Sequence, residues 1–456
     1  MKKALLLLVT LLVGLTAQAA GTQPANFEDM SVNANQQEHY TFDSATGALT
    51  LNWGVFNRYD NWDYDVINTT VKSVTATSDV SFTGDCSQLF YNFSHCESMD
   101  LSRVNTSGMT NANKMFRDCS SLTTLDLSDW DTGNVTDMYE MFRYCENMTS
   151  LNLSGWNTAS VTDMGLMFDY CLSLTTVDLA GWNTVNVIDM YYMFSNCESL
   201  TSLDLSDFNT ANVSSMTQMF YNCRELTSLD LSGWNTGKVM TMGGMFSGCT
   251  ALTSLDLSGW NTANVISMNY MFNGCKNLTS LKISDWNTMN VDDMQNMFSG
   301  CIALTSLDIS GWNTVNLWYM TNMFANCTGL TTIYAGTGWN TGNVYGEWGE
   351  GIFTNCTALV GGMGTVFDAN HTDKTYARID GGPGNPGYFT AKPVALRGDV
   401  NIDDHVNISD VTALIDYLLS HDASAISLTA ADCDQNGSVS ISDVTALIDY
   451  LLSGIW

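Results

Sequence analysis

The sequence predicts an α/β solenoid of leucine-bearing repeats, closed at its start by a β-rich cap and followed by a small all-α domain. Three observations predict it. Cys119, Cys145, Cys171, Cys197, Cys223, Cys249, Cys275, Cys301 and Cys327 recur every 26 residues without a slip, a regularity that only a tandem array produces. Within each unit the spacing of apolar residues changes from two to three and four, so one stretch suits a strand and the next a helical face. Beyond the array, a 13-residue string from Ile408 to Ser420 is repeated unchanged from Ile441 to Ser453, an internal duplication of its own.

The chain opens with Lys2 and Lys3, an apolar run Ala4 to Leu15, and the small-x-small triplet Ala17-Gln18-Ala19. This pattern predicts a secretory signal over residues 1–19 and a mature start near Ala20. The apolar run is too short to span a bilayer, and no Cys follows it for a lipid anchor, so the expected destination is secretion or the cell surface. Net charge is -31, with 47 acidic against 16 basic residues. That excess argues against nucleic acid and anionic membranes, where phosphates would be repelled, and favours calcium or cationic partners.

Residues 20–84 carry no repeat. Runs such as Tyr40-Thr41-Phe42 and Leu49 to Trp53, separated by Ser, Asn and Gly, predict short strands covering the open end of a solenoid over residues 85–357. In the unit from Cys249 to Gly274, Leu255 and Leu257 flank Asp256, which predicts a short strand with the acid on its outer face. Gly259 to Thr262 reads as a turn. Val265, Met268, Phe272 and Cys275 are spaced by three, four and three, which predicts a short helix. Such coils bury their apolar faces only by stacking. With strands about 4.8 Å apart, eight to ten coils make a rod or shallow arc roughly 40 to 50 Å long. The copy after Cys96 is three residues short, and the copy after Cys327 carries an insertion near Gly336 to Gly338.

The L-T-S-L-D-L-S-G-W-N-T and M-F-x-x-C pattern resembles leucine-rich repeat surface proteins of the BspA type. The resemblance runs from Asp85 to Thr390 and implies an α/β leucine-rich repeat solenoid. It includes a closing segment, residues 358–390 with Asp368-Ala369-Asn370-His371 and Asp380-Gly381-Gly382-Pro383, that looks like the family's C-terminal cap. It implies a binding scaffold of adhesin character and leaves the ligand open.

Several columns invite a functional reading. The cysteines sit one per coil with no second Cys or His nearby, so core packing is the expected role, although neighbouring coils come near disulfide range and an odd total of 13 leaves at least one unpaired in a monomer. The Met-Phe column (Met115-Phe116 through Met323-Phe324) and the Trp column (Trp130, Trp156, Trp182, Trp234, Trp260, Trp286 and Trp312, with Phe208 in one copy) are expected to be core ladders. Asp126, Asp178, Asp204, Asp230, Asp256 and Asp308, interrupted by Asn152 and Lys282, should project from the sheet in one file. Like charges at strand spacing repel. Solvation is the ordinary remedy, and a basic protein ligand on that face is the functional alternative.

After a linker at 391–397, residues 398–456 hold the duplication. Oxygen donors precede each copy: Asp399, Asn401, Asp403, Asn407 and Asp410 at loop positions 1, 3, 5, 9 and 12, then Asp432, Asp434, Asn436, Ser440 and Asp443. His405 and Ser438 would offer backbone carbonyls at position 7. A hard cation that takes six to eight oxygens fits such a loop, so two calcium sites are expected. Position 6 needs positive φ: Gly437 supplies it in the second loop, whereas Asp404 stands in the first, whose site should be weaker. The pattern resembles type I dockerins. That resemblance implies docking to a cohesin-like partner through positions 10 and 11, Ile408 with Ser409 and Ile441 with Ser442, and through the helices that follow. Positions commonly basic in clostridial dockerins are Ile415-Asp416 and Ile448-Asp449 here, which argues against the usual clostridial specificity.

None of the five histidines, His39, His95, His371, His405 and His421, belongs to a repeat column or a nucleophile motif, so no enzyme is expected. The sequence thus predicts a non-catalytic, secreted, adhesin-like protein whose solenoid recognises a host or microbial protein. The alternative is a glycan-binding subunit of a polysaccharide-degrading complex.

Overall fold

The computed structural model describes residues 39–58, 70–392, 396–402, 405–423 and 426–456. The expected signal over residues 1–19 lies outside these, as do Asp403 and Asp404.

Leu at spacing two around an exposed acid builds the strand side of each coil. Thr124–Asp126, Ser150–Asn152 and Thr176–Val177 pair in parallel, with Leu125 opposite Leu151 and Leu151 opposite Val177. Ser254–Asp256 pairs with Ser280–Lys282. Ser306–Ile309, Thr332–Ala335 and Phe389–Ala391 form the last segment. In Thr124–Asp126, Ser150–Asn152 and Ser254–Asp256 a buried leucine sits between exposed neighbours, as period two requires. At the other end, Tyr40–Asp43 runs antiparallel to Ala48–Leu51. Gly47, at φ 75, makes the turn between them, and Ala48–Leu51 pairs in parallel with Ser73–Ala76. Ser73–Ala76 pairs in turn with Ser98–Asp100, so this N-terminal β segment runs directly into the parallel pairing of the repeats. The chain is a β-solenoid of about 11 turns.

The short helix expected in each coil does not form. In the unit beginning at Cys249, Met271 N–H donates to the Met268 carbonyl and Cys275 N–H to Phe272, at 3.3 and 3.1 Å. These are successive β-turns. Tyr270 (φ 57) and Gly274 (φ 70) take left-handed backbone, and a left-handed residue every fourth position stops an α-helix. The freed N–H groups point along the solenoid: Tyr270, Phe272 and Gly274 donate to Gln295, Met297 and Ser299 of the next coil at 2.8, 2.8 and 2.7 Å. Spacings of three and four therefore came from paired turns, which put apolar residues on one side as a helix would. A second parallel file of bridges, Asn111, Asp137, Asp163, Asp189, Ser215, Thr241, Ser267, Asp293 and Tyr319, runs along this turn side.

Between the two sides lie the expected ladders. Phe116, Phe142, Phe168, Phe194, Phe220 and Phe246 stack with centroids 5.3 to 5.9 Å apart. Trp234, Trp260, Trp286 and Trp312 stack at 6.2 to 6.3 Å within 7° of parallel. All 13 cysteines are free thiols and buried. Each repeat thiol donates to the Phe carbonyl of the coil before it, as Cys249 does to Phe220 at 3.0 Å. Burial pushes the Cys249 thiol up to about 12, so the column is inert packing rather than redox chemistry.

The C-terminal domain has α1 (Ile408–Ser420), α2 (Leu428–Ala431) and α3 (Ile441–Ser453). Val411 and Leu414 of α1, Val444 and Leu447 of α3, Val400, Ala431 and Cys433 form its core. Asn407 and Ser440 cap α1 and α3 in complete capping boxes with Asp410 and Asp443. Arg397 lies 4.3 Å over Trp456, which stacks on Tyr450 at 4.1 Å, so the two ends of the domain meet.

Candidate functional site

In the second duplicated loop the chain folds around its own carboxylates. Buried Asp443 accepts the Asp434 N–H at 3.0 Å with Oδ1 and the Ser440 N–H at 2.8 Å with Oδ2. Asp432 accepts the N–H groups of Asn436 and Gly437 at 3.0 Å each. Gly437 takes φ 87, which only glycine adopts freely. One oxygen each from Asp432, Asp434 and Asp443 lies within 4.8 Å of the others. Three carboxylates converging on a tight loop match the donor chemistry of a hard divalent cation. The Ser442 hydroxyl, 2.7 Å from Asp434 Oδ2, leads the interactions that hold that carboxyl below its ordinary range, so it stays charged.

The first loop repeats the arrangement around Asp410, which accepts the N–H groups of Asn401 and Asn407 at 3.0 and 2.9 Å. Asp399 is buried at the loop's head. Asn407 and Ser440 accept from Ser409 N–H and Ser442 N–H as helix caps, because position 9 of the loop is also the N-cap of the helix. His405 and Ser438 lie on exposed stretches of their loops.

Ile415 and Leu419 lie off the buried face of α1, 39% and 79% exposed, and Ile448 and Leu452 of α3 are 39% and 82% exposed. With Ile408 and Ile441, each 71% exposed, they form a second apolar stripe at spacings of seven and four on each helix. Two packed helices have room for only one face each, taken by Val411 and Leu414 and by their copies. The other stripe stays in solvent, identically placed on both. Ser409 and Ser442 sit beside it, tied to Asn401 and Asp434 respectively.

On the solenoid, Asp126, Asp178, Asp204, Asp230 and Asp256 are exposed and Asp308 half-buried, in one file. Each also accepts the N–H two residues on, at 2.9 to 3.2 Å, which closes the turn after the strand. Lys282 and Lys392 pair with Asp256 and Asp308 at 2.8 and 2.6 Å. A shallow depression of about 390 Å³ crosses this face beside Asp126, Asn152 and Asp178.

The turn side carries acids that sequence patterning had not singled out. Arg117 pairs with Glu140, and Arg143 with Glu140 and Asp169 at 3.1 and 2.9 Å. In the bridge file, burial pushes Asp163 up to about 6 and Asp189 up to about 7, with a neighbouring carboxylate adding to each. A carboxyl raised above its unfolded value favours folding when protonated; its contribution is complete at low pH and lost as pH rises through 6 to 7. The melting temperature should therefore fall between about pH 4 and pH 7, and Asp163→Asn with Asp189→Asn should flatten that slope. Thermal melts of both proteins across this range check it; parallel profiles would contradict it.

Residues 52–176, 83–201, 144–255 and 245–362 match the family described as "Mycoplasma protein of unknown function, DUF285", and residues 397–452 match the type I dockerin domain. No curated protein matches the chain. Among solved structures, the chain is similar to a leucine-rich repeat protein from Bacteroides ovatus at 18% identity, covering 70% of this chain and 91% of that one, with a TM-score of 0.38. It is similar to a leucine-rich cell surface protein from Faecalibacterium prausnitzii at 18% identity, 75% and 94% coverage and a TM-score of 0.37. An internalin from Listeria monocytogenes aligns at 14% identity, 66% and 83% coverage and a TM-score of 0.24. Dockerin and BspA-like repeat proteins are extracellular or surface proteins, their modules bind or dock rather than catalyse, and a type I dockerin is a calcium-binding module that implies a cohesin partner. Among the described residues no helix is long and apolar enough to cross a membrane. The chain belongs to the DUF285 family, as a BspA-like leucine-rich repeat protein that carries a type I dockerin domain.

Proposed function

We propose that this is a secreted, non-catalytic recognition protein whose dockerin fastens it to a cohesin-like surface partner while the solenoid meets a protein ligand. The observation that carries the docking half is the pair of matched loops, each wound round a buried aspartate and each launching a helix with an exposed apolar stripe. Calcium, when bound, supplies a divalent centre for six to eight oxygens. In this reading Asp432, Asp434, Asn436, Ser440 and Asp443, with the Ser438 carbonyl, hold one ion. Asp399, Asn401, Asp403, Asn407 and Asp410, with the His405 carbonyl, hold a second and weaker one, because Asp404 stands where the loop needs positive φ. The loops fix the start of α1 and α3, and Ile408, Ser409, Ile415 and Leu419, with Ile441, Ser442, Ile448 and Leu452, present two equivalent docking surfaces. The Asp126 to Asp308 file is the candidate face for a basic protein ligand.

The test is binding of the full chain to a panel of immobilised cohesin domains in calcium and in chelator. Capture in calcium, release by chelator and loss in the Leu419→Asp, Leu452→Asp double variant are expected. Capture that ignores both chelator and the double variant would refute the docking surface.

A further inference from the structure

We propose that the turn side of the solenoid, near its C-terminal end, holds a subsite for a neutral pyranose sugar. Three successive coils line a depression of about 440 Å³ there, with Gln295 from the first, Asn322 from the second, and Glu347, Trp348 and Glu350 from the third. The third coil is the one whose repeat carries an insertion; Trp339 fills its repeat Trp position, and Trp348 follows Tyr319 on the outer file, its carbonyl taking the Met320 N–H as Tyr319's takes that of Met294. The ladder tryptophans are at most 4% exposed, whereas Trp348 is 41% exposed. Core packing, which accounts for every ladder tryptophan, does not account for this one.

Trp348 is fixed in place. Its ring meets Tyr319 at 87° with centroids 4.9 Å apart, and the backbone around it is held by Thr321 Oγ1 donating to the Glu347 carbonyl at 3.0 Å and Met320 N–H to the Trp348 carbonyl at 3.0 Å. Trp318 and Tyr345, with centroids 6.3 Å apart, extend the exposed aromatic surface. An indole held with part of its surface in water offers apolar area at little entropic cost, and the C–H face of a pyranose is the apolar surface of matching size.

The polar groups around it suit hydroxyls. Gln295 donates from Nε2 to Asp293 at 3.2 Å, which leaves its carbonyl oxygen as an acceptor. Gly351, at φ 65, makes room for the Asn322 amide, whose oxygen a Cβ at that position would strike. Glu347 and Glu350 are exposed and have no ion-pair partner among the described residues. Amides that donate and accept, together with carboxylates that accept, satisfy a ring of hydroxyls. The two carboxylates repel a uronate or a sulfated sugar, so the class is a neutral one. A pocket with an aromatic wall and a few placed polar groups is the usual form of a small-ligand site. This site lies in the solenoid, does not depend on docking, and goes beyond the protein-ligand reading: it is a separate subsite on the turn side, away from the Asp126 to Asp308 file.

The test is affinity electrophoresis of the full chain through gels containing glucomannan, xylan or polygalacturonate, with wild type, Trp348→Ala and the Glu347→Gln, Glu350→Gln double variant. Retardation by at least one neutral polysaccharide and none by polygalacturonate is expected. Trp348→Ala should weaken that binding about tenfold or more, the scale of losing one buried aromatic contact, while melting temperature and calcium-dependent cohesin binding stay unchanged. The double Gln variant tests the polar wall in an isosteric form and should weaken binding several-fold. No retardation by either neutral polysaccharide, or equal retardation of wild type and Trp348→Ala, overturns the proposal. So does capture of a poly-lysine probe that Trp348→Ala abolishes without any glycan binding, which would make the site a cation cage.

Discussion

Asp443→Ala should remove one calcium-binding event from the full chain and fray the start of α3. Asp443 is fully buried, and its two oxygens accept backbone N–H groups from Asp434 and Ser440. Alanine strands both donors, and leaving a buried donor unpaired costs about 1–3 kcal/mol each. The Ser440 bond is also Asp443's half of the capping box, so the same loss loosens the first turn of α3. A small domain with a seven-residue core cluster has little reserve against losses of that order. Calorimetry should give one event where the wild type gives two, and far-UV circular dichroism should show lost helix. Unchanged stoichiometry would mean that Asp443 is a cap alone. The matching Asp410→Ala variant should remove the weaker event and leave the stronger.

Phe220→Ala should damage the solenoid severely from the middle of the array. Phe220 is fully buried, stacks between Phe194 and Phe246 at 5.9 and 5.7 Å, and its carbonyl accepts the Cys249 thiol. Neighbouring rings belong to rigid coils that cannot collapse into the space, so the loss should sit at about 3–5 kcal/mol. Because each coil is stabilised chiefly by its neighbours, a gap mid-array should also divide the cooperative transition. Calorimetric melting should show a lower temperature and a broadened or split peak for Phe220→Ala. A single peak within a degree of wild type would show that the Phe stack does not hold the coils together.

The period, the ladders and the two loops were legible in the sequence because each repeats. A column of Cys249, Phe272 or Trp260 equivalents reports a stacked environment whatever the local backbone does. That independence is also why the helix expectation failed: Val265, Met268, Phe272 and Cys275 line up on one side through two β-turns as well as they would through a helix. The distinguishing signal was present in the residues between them, where Asn and Gly recur at the left-handed positions, as in Asn296, Gly300, Asn322 and Asn326. The exposed stripe of Ile408, Ile415 and Leu419 was hidden because hydrophobicity alone cannot say which of two apolar faces a helix buries. Asp163 and Asp189 went unnoticed because their altered charge comes from burial on the turn side, which depends on the fold and not on a motif. Trp348 went unnoticed because it belongs to no repeat column: Trp339 fills the tryptophan position of its coil.

The central claim is that the duplicated loops are calcium loops that set the docking helices, and calcium titration of the metal-free full chain by isothermal calorimetry tests it most directly. The account predicts two binding events of unequal affinity, the weaker lost in Asp410→Ala and the stronger in Asp443→Ala, with a rise in helical circular dichroism as they fill. Absence of any saturable calcium binding by the folded chain would contradict it.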